Sequence, residues 1–343
     1  MKKIYINKRY NGHLLSRQIP IYEMNLIQTP GGTIYANPMS GYSQTEVTLS
    51  NVPDTDYIFQ SYDVSGSTLY DTNKFKFTDS DVTAIANWTY EPNYNPLNLP
   101  SNTIRTKWKS GSSPTAFRIG DSANLVDSTN NIWDVYKQSN DWSYFLEGYL
   151  DLLEVLGANT TNVSSMIHLF RSCTSLSSIK LFDTRSITGM GYMFYGCNSL
   201  SSVPLFNTSG ITKMDAMFSG CTSLSYIPLF DTRSVTSMGN MFNSCYSLSS
   251  VPLFDTRNVI SFGNMFYNCS SLTSIPLFDT RNVLRVGNMC YNCVNVQSGA
   301  LALYQQASTQ TKPPSGHYRA FFNCGINTQT GSAELSQIPS DWK

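Results

Sequence analysis

MGYMFYGCNSLSSVPLFNTSGITK, residues 190–213, is one unit of a 24-residue repeat that decides the fold of this chain. A cysteine occupies the eighth position of this unit, and cysteines recur at the same interval from Cys173 to Cys293. The apolar positions keep the same period, with a Met-Phe pair before the cysteine and Leu, Ile or Val, and Leu-Phe after it. A fixed period in this range predicts a solenoid whose units pack against their neighbours.

Within one unit the apolar spacing changes from that of a helix to that of a strand. Val203 and Leu205 alternate with the period of two that a strand requires. The residues with the i, i+3, i+4, i+7 spacing of a buried helical stripe are Met190, Met193, Phe194 and Cys197. We therefore expect one short helix, one short strand and one turn in every unit.

The two ends of the repeat region depart from the period. Shifting the unit back by 48 residues places a degenerate first unit at Trp142–Ser165. Residues 299–307 favour a helix by propensity, and the Phe-x-x-Cys phrase returns at residues 321–324 after an insertion of seven residues. These observations predict a solenoid over residues 142–293 and a C-terminal cap over residues 294–343.

The N-terminal part is predicted to be all-β. Short alternating runs between turn-forming residues predict a small β module over residues 26–90. Residues 1–25 interleave Lys and Arg with Tyr, which favours either a first strand with a polar lead-in or an arm that docks on a larger assembly. Proline and asparagine predict a linker over residues 91–102. Residues 103–141 form a β-rich connecting segment, with strands expected at 103–108, 116–119 and 132–136.

The Leu-x-x-[Ile/Val]-x-Leu phrase with its downstream Met-Phe-x-x-Cys phrase resembles the leucine-rich repeats of BspA-like surface proteins, also called the Treponema type. The resemblance covers residues 142–293 and implies a curved solenoid with a strand ladder on one face. It also implies display outside cells and binding to proteins or surfaces. Residues 294–343 resemble the caps of gut-phage repeat proteins. The expected fold class is therefore multidomain, with N-terminal all-β modules followed by a leucine-rich-repeat solenoid.

Composition excludes several function classes. Lys and Arg number 23 against 23 Asp and Glu, and only 13% of residues are charged, so no bulk field attracts nucleic acid or an anionic membrane. Charged and polar residues from Lys8 to His13 interrupt any signal-peptide core, and no apolar run is long enough for a transmembrane helix. No phosphate-binding loop, paired carboxylates or His-centred triad stands out, which predicts a non-enzymatic protein without a cofactor.

The cysteines admit three interpretations. One thiol per unit at about 4.8 Å lies within the Cα range of a disulfide. Buried free thiols that pack as small hydrophobic groups are the favoured alternative. Cys290, Cys293, Cys324 and His317 could also supply four zinc ligands. Since Cys293 and Cys324 belong to the repeat phrase, we predict no metal site.

Two columns of residues are candidates for binding. If Val203 and Leu205 point inward, the phenylalanine that follows points outward. The resulting column would be Phe182, Phe206, Phe230, Phe254 and Phe278. Exposed, it would bind glycan or protein; in the alternative, each ring turns inward and caps the core. The second column, whose members each follow an acidic residue by two positions, is Arg185, Arg233, Arg257 and Arg281. It favours either a recognition stripe or a neutralised, solvated edge.

Together these features predict a non-enzymatic surface-display binding protein. The favoured setting is a phage virion, as a head- or tail-fibre-like component on the virion surface. Its N-terminal region would attach to capsid or tail protein, and its solenoid would contact host surface protein or glycan. The alternative is a bacterial cell-surface adhesin of the BspA-like type, and an intracellular scaffold is third. A homo-oligomer is compatible with this prediction; nucleic-acid binding and membrane insertion are not expected.

Overall fold

The structure is a computed structural model that divides the chain into two compact units, Met1–Tyr94 and Asn95–Lys343. The residues that it describes are 2–10, 13–27, 32–37, 40–41, 46–53, 57–65, 74–76, 82–90, 97–114 and 121–343. The division falls inside the stretch predicted as a linker, of which residues 91–96 lie outside the described ranges. Leu97 and Leu99 of that stretch belong to the second unit, where Asn159 Nδ2 donates to the carbonyl oxygen of Leu99 at 2.8 Å.

The described part of the first unit consists of strands. In chain order these are β1 (Lys2–Tyr10), β2 (His13–Ile27), β3 (Gly32–Asn37), β4 (Ser40–Gly41), β5 (Glu46–Pro53), β6 (Tyr57–Ser65), β7 (Lys74–Lys76) and β8 (Val82–Tyr90). One sheet has the order β1-β2-β8-β6 with β4 beside β2, and another has the order β3-β5-β7. Strand β2 crosses the predicted boundary at residue 25 and pairs in parallel with β8, so residues 1–25 share a sheet with the predicted β module.

The second unit opens with a sheet that leads into the repeats. Its strands are β9 (Thr103–Trp108), β10 (Ser122–Asp127), β11 (Ile132–Tyr136), β12 (Leu152–Asn159) and β13 (Ser178–Ile179). The order is β10-β11-β9-β12-β13, antiparallel except for the parallel pair β12–β13. Strand β12 belongs to the first repeat, so the sheet covers the N-terminal end of the repeats. The strand expected at residues 116–119 lies outside the described residues.

The repeat units stack through backbone hydrogen bonds. Position 1 of successive units is occupied by Trp142, Met166, Met190, Met214, Met238, Phe262 and Val286. The N–H groups at positions 1, 3, 5 and 7 donate to carbonyls 23 residues ahead, as His168 does to Gly191 at 3.1 Å. Parallel bridges such as Ser237 to Ser261 join position 24 of neighbouring units. Trp142 donates to Ser165 in the same way, so the first unit follows the rule of the others.

The predicted solenoid of one helix and one strand per repeat is wrong. In residues 142–293 no helix is present, and only β12 and the two-residue β13 are strands. Positions 3 and 7 have positive φ in every unit, for example 57° at Tyr192 and 71° at Gly196. This left-handed conformation interrupts a right-handed helix, so positions 1–8 form turns in which Met193 donates back to Met190 at 3.2 Å.

The expected strand fails for a different reason. Phe254 donates its N–H to the carbonyl of Pro252 at 3.0 Å, and Phe278 donates to Pro276 at 2.8 Å. A hydrogen bond from an N–H to the carbonyl oxygen two residues earlier closes a γ-turn, which here is centred on the leucine between them. The turn replaces the alternation of a strand, and Leu253 is therefore 52% exposed while Phe254 is buried.

One hydrophobic core runs through the second unit. At position 5 the phenylalanine rings stack, with centroids 5.6 Å apart for Phe194 and Phe218 and 5.8 Å for Phe218 and Phe242. Methionines at positions 1 and 4, the cysteine at position 8 and the leucine at position 11 are also buried. Because each unit covers the face of the next, burial is nearly complete along the whole stack.

The C-terminal cap contains helices α1 (Ala300–Ser308) and α2 (Gln329–Gln337) and a final 3-10 turn, Ser340–Trp342. Helix α1 lies where propensity predicted a helix. The stacking resumes after the insertion, because Val286 donates to Gly316 at 2.7 Å and Cys290 to Ala320 at 2.7 Å. Gly299 precedes α1 with φ of 98°, and an added Cβ would lie 2.1 Å from the carbonyl oxygen of Ile275. Only glycine is compatible with that close approach.

Candidate functional site

The phenylalanine column predicted for binding is buried. Phe182, Phe206, Phe230, Phe254 and Phe278 are each at most 2% exposed. The rings pack against the position-5 column, with centroids 6.1 Å apart for Phe218 and Phe230. The prediction of an exposed aromatic column is therefore wrong. In the two units where Phe254 and Phe278 close γ-turns, the preceding leucine is exposed and the ring is buried.

The arginine column lies at the surface, and each member pairs with its own aspartate. Arg233 Nη2 contacts Asp231 Oδ2 at 2.6 Å, and its Nε contacts Oδ1 at 3.0 Å. This hydrogen bond lowers the pKa of Asp231 although burial opposes the shift. The same pairing recurs for Arg185, Arg257 and Arg281. The paired geometry supports the neutralised edge, and the recognition stripe stays a prediction.

A threonine column, which the sequence reasoning missed, lies between each aspartate and arginine. Thr208 and Thr232 are buried and donate their hydroxyls to the carbonyls of Asp231 and Asp255 in the next unit, at 2.7 and 2.8 Å. The recurring Asp-Thr-Arg phrase is thus a structural device. A small polar residue at an invariant repeat position was the signal that could have revealed it.

The repeat cysteines are buried free thiols in the structure. Each Sγ donates to a backbone carbonyl 27 residues earlier, as Cys221 does to Phe194 at 3.0 Å. Burial raises the pKa of Cys173 to about 12 and that of Cys245 well above its usual range. Since the thiolate is the reactive form, these thiols are chemically inert in the native fold.

The candidate zinc ligands are engaged elsewhere. His317 Nδ1 lies 2.8 Å from the carbonyl oxygen of Pro314, and Nε2 lies 3.5 Å from Asp341. Its ring stacks on Trp342 with centroids 4.5 Å apart. Among the described residues, no group of three His, Cys, Asp or Glu side chains has the arrangement of a metal site.

The turn surface of the first three units carries an aromatic face, which we define as Tyr144, His168 and Tyr192. These residues share position 3, and their rings stack with centroids 4.4 and 4.7 Å apart. Burial lowers the pKa of His168, and the positive charge of Arg171 acts in the same direction. Because the rings cover one another, this face presents ring edges to solvent.

The same surface of the later units forms an open groove with a volume of about 620 Å³. Its floor is made of position 24 and position 2 residues: Ser237, Gly239, Ser261, Gly263, Arg285 and Gly287. We call it the glycine groove. Asp215 lies at one end and Tyr318 at the other, while Asn264 and Asn288 stand along one side. Asn288 Nδ2 donates to Asn264 Oδ1 at 3.1 Å, which orders this side.

One carboxylate of the chain already lies in the glycine groove. Asp215 Oδ1 accepts hydrogen bonds from the hydroxyl of Ser237 and from the N–H of Gly239, the latter at 3.1 Å. The sequence reasoning did not single out Asp215. The signal was a lone aspartate at position 2, where the neighbouring units carry Gly191, Gly239 and Gly263.

The chemistry of the groove is that of polar recognition. Serine hydroxyls, asparagine amides, backbone N–H groups and the guanidinium of Arg285 line it. No arrangement of nucleophile, base and orienting acid occurs among its residues. In the described ranges, no helix combines the length and the apolarity that crossing a bilayer would need.

Comparison with known proteins gives one match. No curated protein and no solved structure matches this chain. The matched family model covers residues 121–224 and 197–302, which together span more than half of the chain, from strand β10 to the start of the cap. The protein therefore belongs to the family described as "Mycoplasma protein of unknown function, DUF285".

Proposed function

We propose that this protein is a non-enzymatic surface-display binding protein whose repeat units present the glycine groove to a surface protein or glycan. The observation that carries the proposal is the groove itself, an open polar surface whose lining side chains the core does not use. In a binding site, convergent polar groups fix the orientation of the ligand and provide specificity.

The distribution of variation among the repeat positions supports this function. The buried core positions stay apolar from unit to unit, while position 2 changes from apolar Ile167 to Gly191, charged Asp215 and Gly239. Backbone hydrogen bonds between units hold the groove residues in a fixed register. A stacked repeat of this kind is a rigid scaffold on which surface positions set the ligand.

For the setting, we propose a virion surface, with the N-terminal region contacting capsid or tail protein. This setting rests on the resemblance of residues 294–343 to the caps of gut-phage repeat proteins. A bacterial cell-surface adhesin of the BspA-like type is the second candidate, and the family match over the repeats favours it. Mass spectrometry of purified phage particles and of fractionated cells separates the two. Peptides at a fixed ratio to capsid protein support the virion, and peptides confined to the envelope overturn it.

Binding itself is tested with labelled full-length protein on whole bacterial cells and on a glycan array. The variant Gly263→Tyr places a ring in the groove, where an added Cβ meets no atom closer than 3.7 Å. Gly191→Tyr is the matched control, because it makes the same change at position 2 outside the groove, with the nearest atom at 3.6 Å. We expect the first variant to lose binding and the second to retain it. Absence of binding to every surface, or equal binding by both variants, would contradict the proposal.

A further inference from the structure

We propose that the glycine groove binds an acidic glycan, and that Arg285 with the N–H of Gly287 receives its carboxylate. The proposal rests on the proposed binding function and deepens it by naming the ligand class. Its starting point is the carboxylate of Asp215, which occupies the equivalent place two units earlier.

Asp215 shows which groups of the groove can donate hydrogen bonds to a carboxylate. Its Oδ1 bonds to a side chain at position 24, Ser237, and to an N–H at position 2 of the next unit, Gly239. The repeat places the same two groups one unit further on, at Ser261 and Gly263, and again at Arg285 and Gly287. Because these units have glycine where the earlier unit has Asp215, no side chain of the protein fills the two later positions.

The position in front of Arg285 and Gly287 has room, and both unfilled positions have donors with little or no use in the fold. An added Cβ on Gly263 would have Ser261 Oγ at 3.7 Å as its nearest neighbour, which is ordinary contact. The N–H of Gly263 makes only a long contact of 3.4 Å with the hydroxyl of Ser261. In residues 121–343, no group accepts from the N–H of Gly287. Ligand oxygens would therefore satisfy donors that the fold leaves available.

Arg285 distinguishes the last position from the other two. The arginines at position 20 each pair with an aspartate two residues earlier. Arg285 is exposed and has no ion-pair partner in the part of the chain that the structure describes. A guanidinium binds a carboxylate through two parallel hydrogen bonds, so this position selects an anion. The Ser261 position, lacking a charge, suits a hydroxyl or ring oxygen.

The remaining groups favour a saccharide over an acidic peptide. The bond between Asn288 and Asn264 leaves Asn264 Nδ2 as a donor and Asn288 Oδ1 as an acceptor, with no partner among the described residues. A sugar hydroxyl can both donate and accept a hydrogen bond, so it can pair with either of these two side-chain atoms. Tyr318, 64% exposed, adds a ring at the end of the groove. The other lining residues offer no apolar pocket for peptide side chains.

Calorimetric titration of the full chain tests the proposal. The probes are an oligogalacturonate, a neutral galactose oligosaccharide of the same length, and polyglutamate. We expect the oligogalacturonate to bind at least about tenfold more tightly than the neutral sugar, since charge-assisted hydrogen bonds of this strength are worth that factor. Arg285→Gln should weaken uronate binding by about tenfold or more and leave the neutral sugar unchanged.

A second pair of variants controls for folding. Gly263→Asp would place a carboxylate against Arg285 and Gly287, as Asp215 does against Ser237 and Gly239, and should abolish uronate binding without lowering the melting temperature. Gly191→Asp makes the same change at the same repeat position outside the groove, beside Lys213, and should bind normally. Full binding by Gly263→Asp or by Arg285→Gln would overturn the proposal.

The outcomes of these experiments also distinguish a wrong ligand class from a wrong binding function. Equal binding of the neutral sugar, or tighter binding of polyglutamate, overturns the acidic glycan while the groove remains a binding site. If Gly263→Tyr abolishes cell binding but the oligogalacturonate does not bind, the ligand class is wrong and the proposed function stands. If no surface binds the native protein, the proposed function itself fails.

Discussion

The first three repeat units and the later ones share a backbone but present different surfaces. In the first three, position 3 carries the stacked rings of Tyr144, His168 and Tyr192. In the later units the same position carries Ala216 and then three asparagines, and the glycines beside these asparagines open the glycine groove. Both sets keep positive φ at position 3, for example 59° at His168 and 54° at Asn264.

The comparison shows which positions specify the fold and which are free to specify a ligand. Phe194 in the first set and Phe242 in the second are both fully buried in the same column. Since the apolar core positions and the hydrogen bonds between units recur along the stack, a substitution at position 2 changes the surface and leaves both in place. On the proposed function, position 2 can therefore vary the ligand at little cost to the fold.

The largest expected effect tests whether the core is equivalent in both sets. We expect Phe194→Ala and Phe242→Ala each to lower the free energy of unfolding by about 3–5 kcal/mol, because each leaves a cavity between stacked rings. Urea denaturation measures the loss, and Tyr246→Ala, at an exposed residue, is the control with an effect within about 0.5 kcal/mol. Markedly unequal losses for the two variants would show that the core is not equivalent in the first three units and the later ones.

The threonine column provides a smaller test. Thr184→Val and Thr232→Val preserve shape but remove hydroxyls that donate to Asn207 and Asp255 at 2.9 and 2.8 Å. Each leaves a carbonyl between units without its partner, and we expect losses of about 1–3 kcal/mol. Thermal unfolding of both variants would show similar shifts. Unchanged melting temperatures would mean that solvent replaces the hydroxyl.

The smallest effect concerns acid and tests the Asp–Arg pairs, which both sets contain and the third unit lacks. The hydrogen bond from Arg233 lowers the pKa of Asp231 in the folded protein. An aspartate in the unfolded chain has a pKa of about 3.9. The stabilisation is thus present above about pH 4 and is lost as the pH falls through the folded pKa. Asp255 and Asp279 behave alike, whereas the third unit has Asn207 there.

We expect Asp231→Asn, which copies Asn207, to make the fall in stability below about pH 4 shallower. Unfolding followed by circular dichroism at several pH values gives the slope. The same slope in the native protein and the variant would show that the pair adds no stability.

Several features of the fold were readable before the structure. The period placed the first unit at Trp142, and the hydrogen bond from Trp142 to Ser165 follows the register of later units. The insertion of seven residues was also visible, and the stacking resumes across it from Val286 to Gly316. The helix near residues 299–307 followed from propensity. Spacing of buried residues suffices for these features, because every unit repeats the same burial.

The proposed binding site was not readable in the same way. The outward Phe206 was inferred from strand alternation, but no strand forms there and the ring is buried. Asp215 and Arg285 lie at repeat positions whose residues change from unit to unit. Their relation appears only when residues 22 to 24 apart are brought side by side.

The sequence by itself determined the period, the register and most of the buried positions of the repeat, but not the burial of the phenylalanine column. Only the tertiary structure decided that positions 1–8 form turns instead of a helix. The apolar spacing from Met190 to Cys197 is compatible with both. The N–H groups that a helix would bond locally instead donate to the next unit, as Phe194 does to Met217 at 2.9 Å. That choice depends on a partner 23 residues away, which local propensity does not contain.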